Sequence, residues 1–145
     1  MSYSVKWSRF VMRYALILIG ISLLLYLAGK FFNFNLRSSG ATVVPIILVT
    51  MLEGVDFAKA QGETPKGSWA WQQSALFGFV GLGITMAFAA FFMSAFPGGL
   101  GQFLTPVGFA ALSTITVIMA VFFVVGARLF FWMGARNELK RQSRG

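Results

Sequence analysis

The chain has 145 residues, of which 57% are hydrophobic and only 11% are charged, and its formal net charge is +8. This composition is too apolar for a soluble domain of that length and indicates an integral membrane protein. The sequence contains no Cys and no His, which excludes disulfides, thiolate metal sites, histidine-ligated haem and histidine proton shuttles. We therefore expect no cofactor, and we assign the positive charge to membrane orientation and anionic phospholipid, with no role in binding nucleic acid.

The first predicted helix covers residues 8–32. Its uncharged centre, residues 14–29, is slightly short for a bilayer, but Arg13 and Lys30 can extend it because their side chains reach the headgroups. The basic residues before this apolar run also resemble the start of a signal peptide. No small-x-small cleavage site follows the run, so we expect the segment to be retained as a helix. A polar linker follows at residues 33–40.

The second predicted helix covers residues 41–60 and is the least apolar of the four. Pro45 in its first turns removes few hydrogen bonds, since the first N–H groups of a helix have no intrahelical partner. Glu53 and Asp56, three residues apart, point from one face near the cytoplasmic end of this helix. Residues 61–67 have the composition of an exposed turn.

Residues 67–127 carry no charge, and at about 1.5 Å per residue a single helix of that length would be roughly three times as long as the ~30 Å hydrocarbon core is thick. The segment must therefore fold into a hairpin. We predict helices at residues 69–96 and 105–134 around a glycine-rich turn, and the second of them begins with Thr105 as its cap, followed by a proline. Basic residues 135–145 are expected to form a cytoplasmic tail.

These segments together predict a single all-α domain over residues 1–145, a four-helix transmembrane bundle with both termini in the cytoplasm. In this topology nine Lys and Arg residues lie in the inside segments, and two, Lys30 and Arg37, lie in the outside loops. That asymmetry follows the positive-inside rule, and tryptophans gather at the inner helix ends. The predicted contacts with lipid headgroups are Trp7, Arg9, Arg13, Trp69, Trp71, Trp132 and Arg136.

Glu53 and Asp56 are candidate functional residues with two interpretations. As ionisable groups at membrane depth they are typical of a cation or proton site. Alternatively they lie at the headgroup boundary, where Asp56 can pair with Lys59, and they simply end the span. Arg128 of the fourth helix either reaches the inner headgroups or pairs with Glu53 or Asp56 and ties two helix ends together.

The third helix carries small residues at the spacing that lets helices approach closely in lipid, where packing drives association. The set consists of Gly83, Ala87, Ala90 and Ser94. This face could pack inside the bundle or against a partner protein. The chain also has 17 Phe residues, more than a bundle of this size can bury, so lipid or another membrane protein is expected to cover part of them.

Three short segments carry a resemblance to a known family: Ser38-Ser39-Gly40-Ala41 leading into Pro45, Glu53-Gly54-Val55-Asp56-Phe57, and Glu63-Thr64-Pro65. Over roughly residues 8–135 the chain resembles a family of small bacterial tetraspan membrane proteins. The resemblance implies an accessory subunit of the bacterial inner membrane, beside cytochrome c oxidase or the cytochrome bc1 complex. It supplies no catalytic residues.

We therefore expect a non-catalytic subunit that acts in the stability or supercomplex association of a respiratory assembly. It would bind the larger complex through aromatic and small-residue helix faces. The alternative is a small proton-coupled transporter that acts as a dimer around Glu53, although that acid lies near a helix end and not at mid-membrane. A third interpretation is an assembly or lipid-handling factor.

Overall fold

The computed structural model describes residues 4–32, 43–95, 97 and 101–144. Within these residues the structure consists of helices and contains no strand, which confirms the all-α prediction. The helices are α1 (Trp7–Phe32), α2 (Val44–Gln61), α3 (Gly67–Ser94) and α4 (Pro106–Gln142), and a single 3-10 turn (Gly101–Leu104) precedes α4.

The bounds of the helices agree with the predicted ones to within three residues except at the end of α4. Thr105 caps this helix as predicted, because its side chain accepts a hydrogen bond from the backbone N–H of Gly108 at 3.1 Å. The expected tail at residues 135–145 is wrong as a separate element, since α4 continues to Gln142. Glu138 supports this extension by accepting hydrogen bonds from Arg141 and Gln142, three and four residues later.

Three helices, α1, α3 and α4, are long and apolar enough to cross a membrane, which makes the chain a membrane protein. The helix α2 falls outside this group because its 18 residues include two acids and a lysine in the second half. Crossing by α2, and with it the four-span topology, stays a prediction. The predicted linker at residues 33–40 and the centre of the predicted turn, residues 98–100, lie outside the described residues.

Paired contacts fix the direction of α1 relative to α3. Near the beginning of both helices, Phe10 stacks on Phe77 with ring centroids 4.8 Å apart. One turn further along α1 and about two turns further along α3, the hydroxyls of Tyr14 and Thr85 are hydrogen-bonded at 2.8 Å. Because the two contacts follow one another in the same order along both chains, α1 and α3 run in the same direction.

The helices α2 and α4 run the opposite way. Phe57 near the end of α2 stacks on Trp69 at the beginning of α3, with ring centroids 5.3 Å apart. Ile46 in the first turn of α2 reaches Gly81, half-way along α3. On α4, Val124 lies beside Gly78, and Phe131, two turns later, contacts Trp69, which comes earlier on α3. The order of these contacts places α2 and α4 antiparallel to α3, and therefore parallel to each other.

The backbones of α2 and α4 touch where two glycines face the opposite helix. A Cβ atom added to Gly54 would collide with the carbonyl oxygen of Phe131, and one added to Gly134 would collide with the carbonyl oxygen of Met51. Such close approach requires residues without side chains and gives dense packing in an apolar solvent. Among the glycines that the structure describes, these two approach another helix most closely.

The core occupies one half of the bundle. All buried residues of the described chain lie in what we call the packed half, residues 5–18, 44–65, 67–85 and 123–142. The remaining stretches, residues 19–32, 86–97 and 101–122, form the open half, and no residue described there is buried. Because α2 begins level with the middle of α3, the described α-helices that extend into the open half are α1, α3 and α4.

Candidate functional site

A cluster of four charged side chains joins α1 to α2. Arg13 donates from Nη1 to Oε1 of Glu53 at 3.0 Å and to Oδ2 of Asp56 at 2.8 Å. Arg9 approaches Oδ2 of Asp56 to 3.1 Å and Oε2 of Glu53 to 3.5 Å with its Nη2. Each arginine thus contacts both acids, and the four formal charges cancel.

Helix geometry explains why these four residues meet. The arginines are four residues apart on α1 and the acids three apart on α2, so each pair lies on one helix face. Glu53 is fully buried, whereas the side chain of Asp56 is 23% exposed and those of Arg9 and Arg13 are 31% and 29% exposed. The cluster therefore has a buried centre and a rim that reaches the surface.

This arrangement corrects the interpretation of Arg128 as the partner of the acids. Arg128 instead donates from Nη2 to the carbonyl oxygen of Pro65 at 3.4 Å, and its guanidinium lies over the ring of Trp71, 5.6 Å from the centroid. Both acids are already occupied by the arginines of α1. Lys59, the other expected partner of Asp56, is exposed.

Sequence reasoning placed Arg9 and Arg13 among the lipid contacts and missed their pairing with the acids. The signal was present in the matching spacings of two bases on the first helix and two acids on the second. Both pairs fall at the same end of an antiparallel helix pair, where their side chains can meet. In any four-helix arrangement several basic residues lie at the same end of the bundle as the acids. The spacing alone therefore did not identify Arg9 and Arg13 as their partners.

Chemically, the cluster is suited to holding α1 against the rest of the bundle. A buried carboxylate that loses its partner in a membrane protein costs several kcal/mol, on the order of 3–5 kcal/mol. The helix α1 approaches its neighbours through side chains, since the close backbone contacts involve the other helices. The buried bond between Tyr14 and Thr85 adds a second polar tie, between α1 and α3.

Aromatic rings fill the packed half beside this cluster. Phe77 lies at the centre, with Phe10 stacked on it and Trp7 and Phe131 at centroid distances of 5.7 and 5.4 Å. Trp7 and Trp69, predicted at the headgroups, are partly buried here.

The remaining predicted headgroup residues lie nearer the surface. Trp71 is 52% exposed. Arg136 is also exposed, and its guanidinium lies over the ring of Trp132, 5.0 Å from the centroid. Lipid contact by these residues stays a prediction, and their exposure is compatible with it.

The predicted packing residues of α3 lie on the surface. Gly83, Ala87, Ala90 and Ser94 are all exposed, and a Cβ atom on Gly83 would meet nothing within 4 Å. Of the two interpretations of this face, packing inside the bundle is therefore wrong.

A different set of glycines makes the close contacts within the chain. A Cβ atom on Gly78 would contact Val124 on α4. A Cβ atom on Gly81 would contact the ring of Tyr14 and the δ-methyl group of Ile46. Together with Gly54 and Gly134, these positions account for the tight packing of the bundle. The spacing motif thus pointed to the right helix and the wrong face of it.

The open half contains an apolar groove between α1 and α3. Its volume is about 430 Å³, and its walls include Leu23 and Tyr26 from α1 and Phe88 and Phe92 from α3. Exposed leucines on the second half of α1 extend this apolar surface. Lipid or protein must cover such a surface in a bilayer.

Comparisons of the chain with models of known protein families, with characterised proteins and with solved structures find no match. Its function is therefore argued from the residues described above.

Proposed function

We propose that this chain is a non-catalytic accessory subunit of a larger complex in the bacterial inner membrane. The observation that carries the proposal is the exposed small-residue face of α3, formed by Gly83, Ala87, Ala90 and Ser94. Small residues at this spacing allow a second helix to approach closely, and lipid cannot replace that contact equally well. Because the chain's own helices leave this face uncovered, a helix of another protein is the partner that fits it.

The surroundings of this face favour a protein partner. Phe79 lies one turn before Gly83 on the same side of α3 and is 60% exposed, and Phe91 is 72% exposed. Aromatic residues are enriched at the centres of protein interfaces. A stable interface buries on the order of 1,600 Å² in total, and the open half of α3 with adjacent parts of α1 or α4 is large enough to supply one side.

The membrane topology that we propose has four crossings and both termini in the cytoplasm. The parallel directions of α1 and α3 support it, because the chain must return between them, and α2, which runs antiparallel to both, is the described helix that lies between them in the chain. Reporter fusions after Gly62 and at the C-terminus should give cytoplasmic signals. A fusion near Gly99 should report the opposite side, and an outside C-terminus would contradict the topology.

The partner that we propose is a respiratory assembly, cytochrome c oxidase or the cytochrome bc1 complex, and this assignment depends on the family resemblance. The role would be to stabilise the complex or its association into a supercomplex. Basic residues at the cytoplasmic ends would bind anionic phospholipid.

Purification of the respiratory complex from a strain that lacks the chain tests this role. The intrinsic turnover of the isolated enzyme should be unchanged, while its yield, thermal stability or association with other complexes decreases. Re-expression of the chain should restore the lost property. Loss of intrinsic turnover in the isolated enzyme would contradict a non-catalytic role.

A proton-coupled transporter around Glu53 is the second candidate, favoured by the complete burial of this side chain. Against it stand the ion pairs that both Arg9 and Arg13 form with this carboxylate, which tie it to α1. Proton flux into liposomes distinguishes the candidates. A flux that disappears in Glu53→Gln but persists in Glu63→Gln, the exposed loop acid, would replace our proposal.

A further inference from the structure

Arg128 lacks a counter-ion among the acids of the chain. It is the only charged residue between positions 106 and 135. The chain has four Asp and Glu residues, and all of them lie in the described part. None of them forms an ion pair with Arg128: two are held in the cluster between α1 and α2, Glu138 pairs with Arg141, and Glu63 is exposed in the loop before α3.

The guanidinium of Arg128 is nevertheless held in one place. Its Nη2 donates to the carbonyl oxygen of Pro65, whose ring is fully buried, and its plane lies over Trp71. Its Nη1 is buried and has no hydrogen-bond partner in the part of the chain that the structure describes. A cation that is oriented, partly desolvated and incompletely hydrogen-bonded favours an anion strongly, because its own hydration is already reduced.

We infer that Arg128 is the centre of a binding site for the phosphate of an anionic phospholipid. Guanidinium matches a phosphate group in both shape and charge, since its N–H groups bind two oxygens side by side. Lys66 directly follows Pro65 and is exposed, so a second cation stands beside the site. The ligand is a membrane lipid because the cation is flanked by half-exposed Trp71 and by Trp132, side chains typical of the interface between headgroups and hydrocarbon.

The inference depends on the membrane location proposed above. It is more specific than a general attraction between the basic ends of the helices and the bilayer. It assigns one lipid to one side chain on α4, held between the loop before α3 and the first turns of α3. The exposed basic residues at the end of the chain, such as Arg144, lie outside this site. That difference provides the matched control.

Lipid binding to the purified full-length chain tests the assignment. In mild detergent with equal amounts of phosphatidylglycerol and phosphatidylcholine, native mass spectrometry should show one phosphatidylglycerol retained by the wild type. Arg128→Gln should weaken this retention roughly fivefold, the equivalent of about 1 kcal/mol for one basic residue at a membrane surface. Arg144→Gln, which removes an exposed cation at the far end of the chain, should retain the lipid like the wild type.

Three results would overturn the assignment: equal retention by Arg128→Gln and the wild type, equal loss in both arginine variants, or displacement of the lipid by a similar concentration of inorganic phosphate. The last result would identify a site for free phosphate. Membrane extraction of each variant is measured in parallel, so a failure of membrane insertion is recognised separately and counts against the proposed function.

A second experiment leaves Arg128 unchanged, in case its replacement prevents folding. Photoreactive benzoyl-phenylalanine at Trp71 should crosslink phosphatidylglycerol in preference to phosphatidylcholine in mixed vesicles. The same group at Phe79, which is also exposed on α3 but farther from the boundary, should show no preference. Equal labelling of the two lipids at Trp71 would contradict the site.

Discussion

The packed half and the open half of the bundle contain the same kinds of apolar residue and use them differently. In the packed half Phe10, Phe77, Phe123 and Phe131 are fully buried, and a charged cluster joins two helices. In the open half no described residue is buried, although phenylalanines and leucines are just as frequent on its surface.

The difference teaches that hydrophobicity does not decide what is inside a membrane protein. Lipid tails are as apolar as leucine, so a phenylalanine gains little by moving from lipid to protein. What distinguishes the packed half is the presence of α2, glycines at helix crossings and polar groups that need partners. We interpret the packed half as the part that stabilises the fold. The open half, together with the adjoining exposed side of α3 at Phe79 and Gly83, is the part available to lipid and partners.

The largest effect is expected at the crossing of α2 and α4. Gly54→Leu would place a side chain against the carbonyl oxygen of Phe131, so the two helices must separate and the packed half opens. We expect a loss of more than ~3 kcal/mol in the free energy of unfolding, beyond the usual range for overpacking. Unfolding in SDS, followed by circular dichroism, measures it. Gly126→Leu, a glycine of the same half with nothing within 4 Å, is the control and should remain stable.

The next-largest change in the free energy of unfolding is expected when one phenylalanine from each half is replaced and the two variants are compared. Phe77→Ala removes the ring at the centre of the aromatic cluster and leaves a cavity, which typically costs about 3 kcal/mol or more. Phe91→Ala changes a ring that is 72% exposed and should alter the same free energy by less than about 0.5 kcal/mol. Equal destabilisation by both changes would contradict the division into two halves.

A smaller loss in the free energy of unfolding is expected when the charged cluster between α1 and α2 is altered. Glu53→Gln keeps the size of the side chain but replaces the carboxylate that Arg9 and Arg13 contact with a neutral amide. Asp56 remains as a partner for both arginines, so we expect a loss of about 2 kcal/mol. Loosening of α1 can be followed by protease sensitivity near the N-terminus. Glu63→Gln in the exposed loop should behave like the wild type, and a stable Glu53→Gln protein would show that the cluster does not hold α1.

The smallest measurable effect is that of the hydroxyl bond between α1 and α3. Tyr14→Phe leaves Thr85 without its partner in the packed half. Hydrogen bonds between membrane helices average about 0.6 kcal/mol, and we expect a loss of this order. Tyr26→Phe, in the open half and 65% exposed, is the matched change, and an equal loss there would argue against a special role of the packed half.

The sequence was sufficient for the number and approximate positions of the helices. Long uncharged stretches, the cap at Thr105 and the turn signals determine these features locally, and the structure agrees with them. The end of α4 was misjudged because a run of basic residues is polar without being a helix breaker. Side-chain bonds from Arg141 and Gln142 to Glu138 continue the helix through it.

Features that depend on two helices at once could not be predicted. The acids of α2 were recognised as unusual, but their partners depend on which helix lies beside α2. Hydropathy does not determine which helix that is. Gly54 has Ala58 four residues later, but Gly134 stands in no such spacing, and the role of the two glycines follows only from their meeting across two helices. The small-residue motif at Gly83 was visible in the sequence. Only the structure shows that this face of α3 points away from the other helices.

The central claim is that the exposed face of α3 binds another membrane protein, and co-purification with Gly83→Leu tests it most directly. A tagged chain is extracted in mild detergent, and the proteins that accompany it are identified and quantified by mass spectrometry. Gly20→Leu introduces the same side chain on α1, also in open space, and serves as the control. We expect wild type and Gly20→Leu to retain the same membrane complex and Gly83→Leu to lose it while keeping its own stability. If Gly83→Leu retained the complex in full, the face of α3 would not be the docking surface.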